Sequence, residues 1–278
     1  MTSPRTEPAS VPRERVLAPF GRRTAEIVGR ASYGPYVVLR CVDSDGPAPQ
    51  AGQFYMVASA ERWGGGDGER PFLPRAFSVL RMIAGDDGRL ELQFLVDDVG
   101  PGTHRLCELT DGDALSIMGP LGNGFAPPRE GRRPVLVGGG VGIAPLAIWQ
   151  DQLGGGAPAL LGFRDEARAL GGALLADVTV ATDDGSVGHH GLVTDLLDEH
   201  LALGSSGIEV YACGPEPMLE AVAALTAEHG APAQLALESG MACGFGACFG
   251  CVIATRAGYV RLCLDGPVLD AELLRGIG

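Results

Sequence analysis

Of seven cysteines, four (Cys243, Cys248, Cys251 and Cys263) fall within one short segment that begins "CGFGACFGC". Their spacing is C-x4-C-x2-C-x11-C. The first three match the plant-type spacing of an iron–sulfur cluster of the 2Fe–2S kind. Four thiolates would have to converge on two irons, and Gly244, Gly246 and Gly250 leave room for the chain to wrap them. Glycine also lets backbone N–H groups approach the sulfurs, which tunes the reduction potential. The rival is a structural zinc, although zinc typically takes its cysteines as two knuckles rather than three ligands in one loop. Disulfides fit poorly with an odd cysteine count and with an N-terminus, "MTSPRTEPASVPRERV", that lacks an apolar leader.

A second chemistry is written in glycine. "VLVGGGVGIAPL" sets Gly138, Gly139, Gly140 and Gly142 between a β-run and a helical run. A helix start offers unpaired N–H groups and the positive end of a dipole, which together attract a pyrophosphate. The dinucleotide fingerprint is incomplete here because its third glycine position is filled. A tight strand–helix connection therefore explains the stretch equally well. "VYACGPEPM" places Cys213, Gly214 and Pro215 just past another strand-like run. Ligands of open parallel sheets sit outside the carboxyl ends of strands, so the two turns are expected to face one crevice. A lone cysteine is ordinarily a small buried hydrophobe, which is the reading for Cys41 and Cys107. The neighbouring motif favours a functional place for Cys213.

Earlier, "PRAFSV" supplies Arg75, Ala76, Phe77 and Ser78. An arginine can clamp a phosphate, an aromatic ring can pack on a flavin, and a hydroxyl can bond its edge. "VGPGTHRL" offers Gly102 and Thr103 as a turn able to present N–H groups, and "PLGNGF" closes a barrel. Singly these are weak, since an arginine on a strand is usually a solvated face.

The elements that must position these groups follow from texture. "TAEIVGRA", "YVVLRCV", "QFYMVAS", "AFSVLRMI", "LELQFLV" and "ALSIMGP" are β-branched and aromatic runs separated by Gly, Pro and Asp, the signature of an antiparallel barrel or sandwich. After "APPREGRR" strand and helix alternate, predicting a parallel sheet with helices on both faces. From "APAQLALESG" onward periodicity fades and the cysteines begin. The expected organisation is a disordered tail over 1–17 and a β-barrel over 18–127. An α/β nucleotide-binding domain over 128–232 and a small cysteine-bearing subdomain over 233–278 follow. Residues 61–72 are expected to be a mobile loop.

The order of these motifs resembles the ferredoxin–NADP reductase superfamily. The segment "ESGMACGFGACFGC" followed by "CLDGPV" is similar to the C-terminal element of the electron-transfer subunits of two-subunit, NAD-linked dihydroorotate dehydrogenases. The resemblance covers the chain from about residue 18 to its end. It implies FAD on the barrel, NAD(H) on the α/β domain and one 2Fe–2S cluster on the four cysteines. Electrons would pass to or from the FMN of a separate catalytic subunit that oxidises dihydroorotate to orotate in pyrimidine biosynthesis, in a two-plus-two heterotetramer. By the same resemblance Arg75, Ala76, Phe77, Ser78, Gly102 and Thr103 serve FAD, with Leu95, Val96 and Asp97 as the preceding strand. Gly139, Gly140, Gly142, Ala144, Pro145, Cys213 and Gly214 serve the nicotinamide nucleotide, with Cys213 and Ser78 lining the nicotinamide–flavin contact. "LVDD" departs from the family, which often has an aromatic and a basic residue there. Three alternatives stay open: a reductase subunit of a hydrogenase, sulfur reductase or glutamate synthase, a stand-alone NAD(P)H:acceptor reductase, and a zinc-stabilised nucleotide-binding module. Arg164 and Arg168 could meet a 2′-phosphate, leaving NAD and NADP both possible.

Composition bounds the rest. The net charge of −13 argues against nucleic acid or an anionic membrane as partner. All 21 basic residues besides histidine are arginine, which excludes a Schiff-base or P-loop lysine. No apolar run reaches the ~20 residues of a membrane span, and a cytoplasmic protein is expected.

Overall fold

The computed structural model describes residues 21–63, 71, 73–86 and 88–274. The expected tail and most of the expected loop lie outside the described residues.

Six strands close an antiparallel barrel in the order β1-β2-β5-β4-β3-β6. They are β1 (Arg23–Tyr33), β2 (Tyr36–Asp43), β3 (Phe54–Ser59), β4 (Arg75–Ala84), β5 (Leu90–Asp97) and β6 (Ala114–Leu121). A short helix α1 (Pro101–Cys107) joins β5 to β6. Pleating sends alternate side chains inward. In β1, Ala25 and Ile27 are fully buried while Thr24, Glu26 and Val28 face out. Tyr55, Leu80, Leu92, Phe94, Leu115 and Ile117 fill the interior.

The α/β unit is a seven-stranded sheet ordered β10-β9-β8-β7-β11-β12-β15. Its chain order is β7 (Arg133–Gly139), α2 (Ile143–Gln152), β8 (Ala159–Phe163), α3 (Glu166–Ala169), β9 (Val178–Thr182), β10 (His189–His190), α4 (Val193–Ala202), β11 (Ile208–Cys213), α5 (Glu216–Glu228) and β12 (Ala233–Ala236). A hairpin of β13 (Val252–Thr255) and β14 (Gly258–Arg261) precedes β15 (Val268–Asp270). All neighbours in the sheet are parallel except β12 and β15. The 233–278 segment, read from sequence as lying apart, thus contributes two strands to this sheet. "AQLA" is only four residues long and wholly buried, so it carries no alternation to announce a strand.

The two faces of the sheet sort by parity. Leu136, Tyr211 and Cys213 share a core with α2 and the barrel, whereas Val135, Val137, Val210 and Ala212 pack with α4 and α5. Helix α2 therefore lies between the sheet and the barrel, and positions 143–150 are buried without interruption. A helix buried all round shows no amphipathic stripe. Trp149 sits 5.8 Å from the Phe125 ring and 5.4 Å from that of Tyr211. Gln150 donates to the carbonyls of Ala157 and Ala176, both at 2.7 Å, and accepts from the Ala176 N–H at 2.8 Å. Arg81 of β4 pairs with Asp151 at 2.9 Å and donates to the Leu174 carbonyl at 2.8 Å. The Arg81 contacts fix the barrel against the α/β unit, while Gln150 ties α2 to the segments before β8 and β9. No described helix is long and apolar enough to cross a membrane.

Candidate functional site

The chain leaves β7 for β8, β9 and β10 on one side and returns to β11 and β12 on the other. Such a reversal opens a crevice at the carboxyl ends of the strands. A cavity of about 490 Å³ occupies it, lined by Gly139 and Gly140 after β7, Phe163 and Arg164 after β8, Asp183 after β9, and Gly214 after β11. Gly142 also lines it, at the start of α2. No side chain caps α2; the short turn Gly140–Gly142 leads into it and already accepts the Ile143 N–H, so the backbone of that turn is what faces the crevice. Both glycine turns expected to share one crevice do so.

The glycines there do different work. A Cβ on Gly142 would run into the Cys213 carbonyl, and one on Gly139 would meet Met218 Sδ at 2.7 Å. Their smallness serves the packing of the β7 turn on the β11 turn. Gly140 alone of this set has a positive φ, 55°, with nothing within 4 Å of its Cβ position. It is the place where a phosphate can meet bare backbone. Ala144 and Pro145 are buried in the first turn of α2 and offer main chain only.

The Cys213 thiol does not line the cavity; it is 1% exposed on the α2 side of the sheet. Burial, aided by the nearby Glu238 carboxylate, holds it well above the ordinary thiol range. It is a neutral packing group. Glu238 itself lines the cavity, and crowding by the surrounding protein raises its pKa. Tyr36 and Asp97, register partners on β2 and β5, form the barrel's side of the crevice. Burial pushes the Tyr36 phenol up to about 12.

On the barrel, β4 pairs with β3 so that Arg75 faces Val57, Ala76 faces Met56, Phe77 faces Tyr55 and Ser78 faces Phe54. Arg75 and Gly102, distant in sequence, meet: a Cβ on Gly102 would lie 2.8 Å from Arg75 Nε. Arg75 also lies over the Trp63 ring at 5.9 Å, and Trp63 Nε1 is buried with no partner. A guanidinium on a side-chain-free helix start, next to an orphan N–H, suits a phosphate-bearing flavin nucleotide. Gly102 and Thr103 belong to the first turn of α1 and not to an open turn. Thr103 Oγ1 accepts from the Val99 and Gly100 N–H groups at 2.9 and 3.0 Å, which fixes that helix start. Leu95 and Val96 are buried in the barrel core, leaving their main chain as the available surface, while Asp97 turns to the crevice.

The cysteine loop rests on the barrel. Gly244 has φ 77°, and its Cβ position lies 2.5 Å from Met56 Cγ and 3.0 Å from Leu121. Cys251, Cys263, Leu262, Met56 and Phe54 form one buried cluster. Asn123 of "PLGNGF" ties the barrel to the same segment, donating to the Leu264 and Asp265 carbonyls at 3.1 and 3.0 Å. Within the loop the thiols form two pairs. Cys251 Sγ and Cys263 Sγ are 3.3 Å apart. Cys243 Sγ accepts from the Cys248 N–H at 3.4 Å and from its thiol. Desolvation opposes the Cys243 thiolate, but N–H donors from Cys248, Phe245 and Ala247 bring the thiol down to about 7. Burial first, then the Cys251 thiol, pushes Cys263 up to about 12. Among the described residues no three ligand side chains converge on a single ion-sized point. Two thiol pairs with N–H donors aimed at sulfur suit a binuclear iron–sulfur group, which the four cysteines would hold.

Sequence reasoning did not single out Tyr36, Asp183, Glu238 or Met56. Asp183 in "TDDG" had a signal, an acid directly after a strand-like run; Met56 had none, because its part depends on where β3 lies.

Residues 238–275 match the family model described as the iron–sulfur cluster binding domain of dihydroorotate dehydrogenase B. The chain is 39% identical over 235 residues to the dihydroorotate dehydrogenase B (NAD(+)) electron transfer subunit of Caldanaerobacter subterraneus subsp. tengcongensis, covering 82% of this chain and 87% of that one. Against the corresponding subunit of Geobacillus thermodenitrificans identity is 37%, covering 80% and 85%. Among solved structures, an NADH-dependent reduced ferredoxin–NADP oxidoreductase superposes with a TM-score of 0.72 at 26% identity, covering 91% and 90%. A Neisseria gonorrhoeae ferredoxin–NADP reductase shares the fold at a TM-score of 0.56 and 18% identity, covering 75% and 92%.

Proposed function

The chain belongs to the dihydroorotate dehydrogenase B (NAD(+)) electron transfer subunits, and on that premise we propose that it relays electrons between NAD(H) and the FMN of a partner catalytic subunit by way of FAD and a 2Fe–2S cluster. The observation that carries this reading is adjacency. Ala76, on the strand proposed for FAD, is the register partner of Met56, and Met56 touches Gly244 beside Cys243. Neighbouring strands lie about 4.8 Å apart, so the proposed flavin strand and the cysteine loop are close neighbours.

Gly140 and the backbone of the turn leading into α2 would hold the pyrophosphate of NAD(H). On that reading Gly214 and Glu238 would lie at one end of the dinucleotide and Asp183 at the other, as the sheet order supports. An acidic side chain beside the adenosine ribose accepts from its hydroxyls and repels a 2′-phosphate, which favours NAD over NADP. Arg75, with the N–H groups of Gly102 and Thr103, would take the FAD phosphates, and Phe77 and Ser78 its ring. FAD, when bound, supplies the conversion between two-electron hydride exchange and single-electron exchange. Cys213 would shape the nicotinamide–flavin contact from beneath by its packing on the β7 turn. Replacing it by alanine is expected to slow NADH oxidation with FAD content unchanged; an unchanged rate would remove Cys213 from the mechanism. Cys243, Cys248, Cys251 and Cys263 would hold the cluster.

The test is an anaerobic preparation of the chain. About two irons and two sulfides per chain, flavin absorption and bleaching by NADH are expected. Zinc without a visible chromophore would overturn the reading. Co-expression with a partner catalytic subunit should yield a two-plus-two heterotetramer that reduces NAD+ with dihydroorotate only when both chains are present. The likeness to the NADH-dependent ferredoxin–NADP oxidoreductase supports a second reading, a reductase subunit of another redox complex. Absence of dihydroorotate-dependent turnover in the co-purified complex would select it.

A further inference from the structure

Arg261, at the end of β14, reaches across to the cysteine loop. Its guanidinium donates to the Gly246 carbonyl at 3.1 Å and lies over the Phe249 ring at 5.3 Å. The Gly246 carbonyl lies within the loop from Cys243 to Cys248, in which the Cys248 N–H donates to Cys243 Sγ at 3.4 Å. The cation thus sits against the loop that wraps that sulfur, where its charge favours added negative charge on the sulfurs. The Phe249 contact works on a second sulfur. Phe249 holds φ 60°, a left-handed conformation that a bulky side chain rarely adopts. That turn aims the next N–H, of Gly250, back at Cys248 Sγ at 3.4 Å. The Phe249 ring is 62% exposed, and Arg261 is the cation that covers it. Asp265 accepts from the main-chain N–H of Arg261 at 2.8 Å, and among the described residues no carboxylate pairs with the guanidinium.

We propose that Arg261 is a positioning residue for the electron relay, raising the reduction potential of the group held by the four cysteines through its contacts with the Gly246 carbonyl and the Phe249 turn. This rests on the cluster reading above. Reduction adds one negative charge to the sulfurs, and a cation coupled to them favours the reduced state. A charge-assisted contact of this kind is worth about a tenfold change in equilibrium.

The experiment is an EPR-monitored redox titration of the cluster-loaded chain, with iron and sulfide measured on the same samples. Arg261→Gln keeps a donor and removes the charge, so its reduction equilibrium is expected to fall about tenfold, which is about 59 mV for one electron. Arg261→Lys keeps the charge and is expected to stay within about threefold of the parent. Superimposable titrations of the parent and Arg261→Gln would overturn the proposal. Should Arg261→Gln not load, Arg261→Met, whose stem can still cover the Phe249 ring, carries the same expectation. Failure of both neutral variants to load while Arg261→Lys loads would make Arg261 a structural staple and equally overturn the tuning role. A parent chain that itself holds no iron would instead overturn the cluster reading.

Discussion

Glycine enrichment around the cysteines has a sharp consequence, because the structure assigns Gly244 and Gly250 opposite sensitivities. Gly244→Ala forces a side chain into the left-handed region at φ 77° and drives its Cβ to within 2.5 Å of Met56 Cγ. The first effect costs about 1–2 kcal/mol and the second about 1–3 kcal/mol for an overpacked core. Met56 is itself only 2% exposed and has little room to retreat. The sum, about 2–5 kcal/mol, disfavours the seated loop by at least about 25-fold. At Gly250 no positive φ is required, and the nearest atoms to a Cβ, Cys248 Sγ at 3.5 Å and the Gly240 carbonyl at 3.6 Å, are at ordinary contact distance. Gly250→Ala should cost less than about 1 kcal/mol. The assay is iron and sulfide per chain after anaerobic reconstitution, with far-ultraviolet circular dichroism to show that the barrel and sheet persist. Loss of iron in Gly244→Ala with retention in Gly250→Ala is the expected pair of results. Equal loss in both variants, or full loading of Gly244→Ala, would refute the idea that the loop is seated through its contact with β3.

Three other expectations follow from the same coordinates. Arg40 and Glu91 form a bidentate pair at 2.9 and 2.7 Å, and that bond holds the Glu91 carboxyl below its usual range. A depressed carboxylate stabilises above its unfolded value of ~4.3 and loses that contribution as pH falls through its folded value. Arg40→Gln should therefore cost up to about 1 kcal/mol at pH 7, since the arginine is partly exposed; the difference in urea midpoint from the parent should vanish on acidification. Gln150→Leu strands the carbonyl of buried Ala157 and removes the partner of the exposed Ala176 main chain. At about 1–3 kcal/mol for the one buried group, a drop in Tm of about 2 °C or more is expected by calorimetry. Asp183→Ser removes the acid at the ribose end of the crevice and should raise the ratio of kcat/KM for NADPH over NADH about tenfold.

Much of this molecule was legible in the chain because its strands obey simple periods. All six barrel runs picked out by β-branched texture correspond to β1 through β6, and the alternation after residue 133 gives β7, α2, β8, β9, α4, β11 and α5 in order, without the short α3 and β10. The four cysteines declared themselves by spacing. What stayed hidden depended on contacts between distant segments. Gly139 and Gly142 read as a phosphate cradle, yet they are small because the β7 and β11 turns press together. Cys213 read as a crevice residue, and strand parity turned its thiol to the buried α2 face. Thr103 looked like a phosphate turn and serves to fix the start of α1. The grouping of four thiols as two pairs has no counterpart in linear spacing.

Strands β12 and β15 are antiparallel neighbours, with Ala236 opposite Val268 and the Leu237 N–H bonded to the Pro267 carbonyl at 2.9 Å. The chain between them, which includes every one of the four clustered cysteines, leaves the sheet and rejoins it one strand away. In connectivity it is an enlarged hairpin loop, a cassette whose two ends already meet. Shortening it to a tight turn would leave the seven-stranded sheet and its register intact, giving a flavin reductase without its one-electron outlet. Grafting it onto a related reductase asks for little more than a β12–β15 pair and a barrel surface shaped like Met56 and Leu121 to receive it.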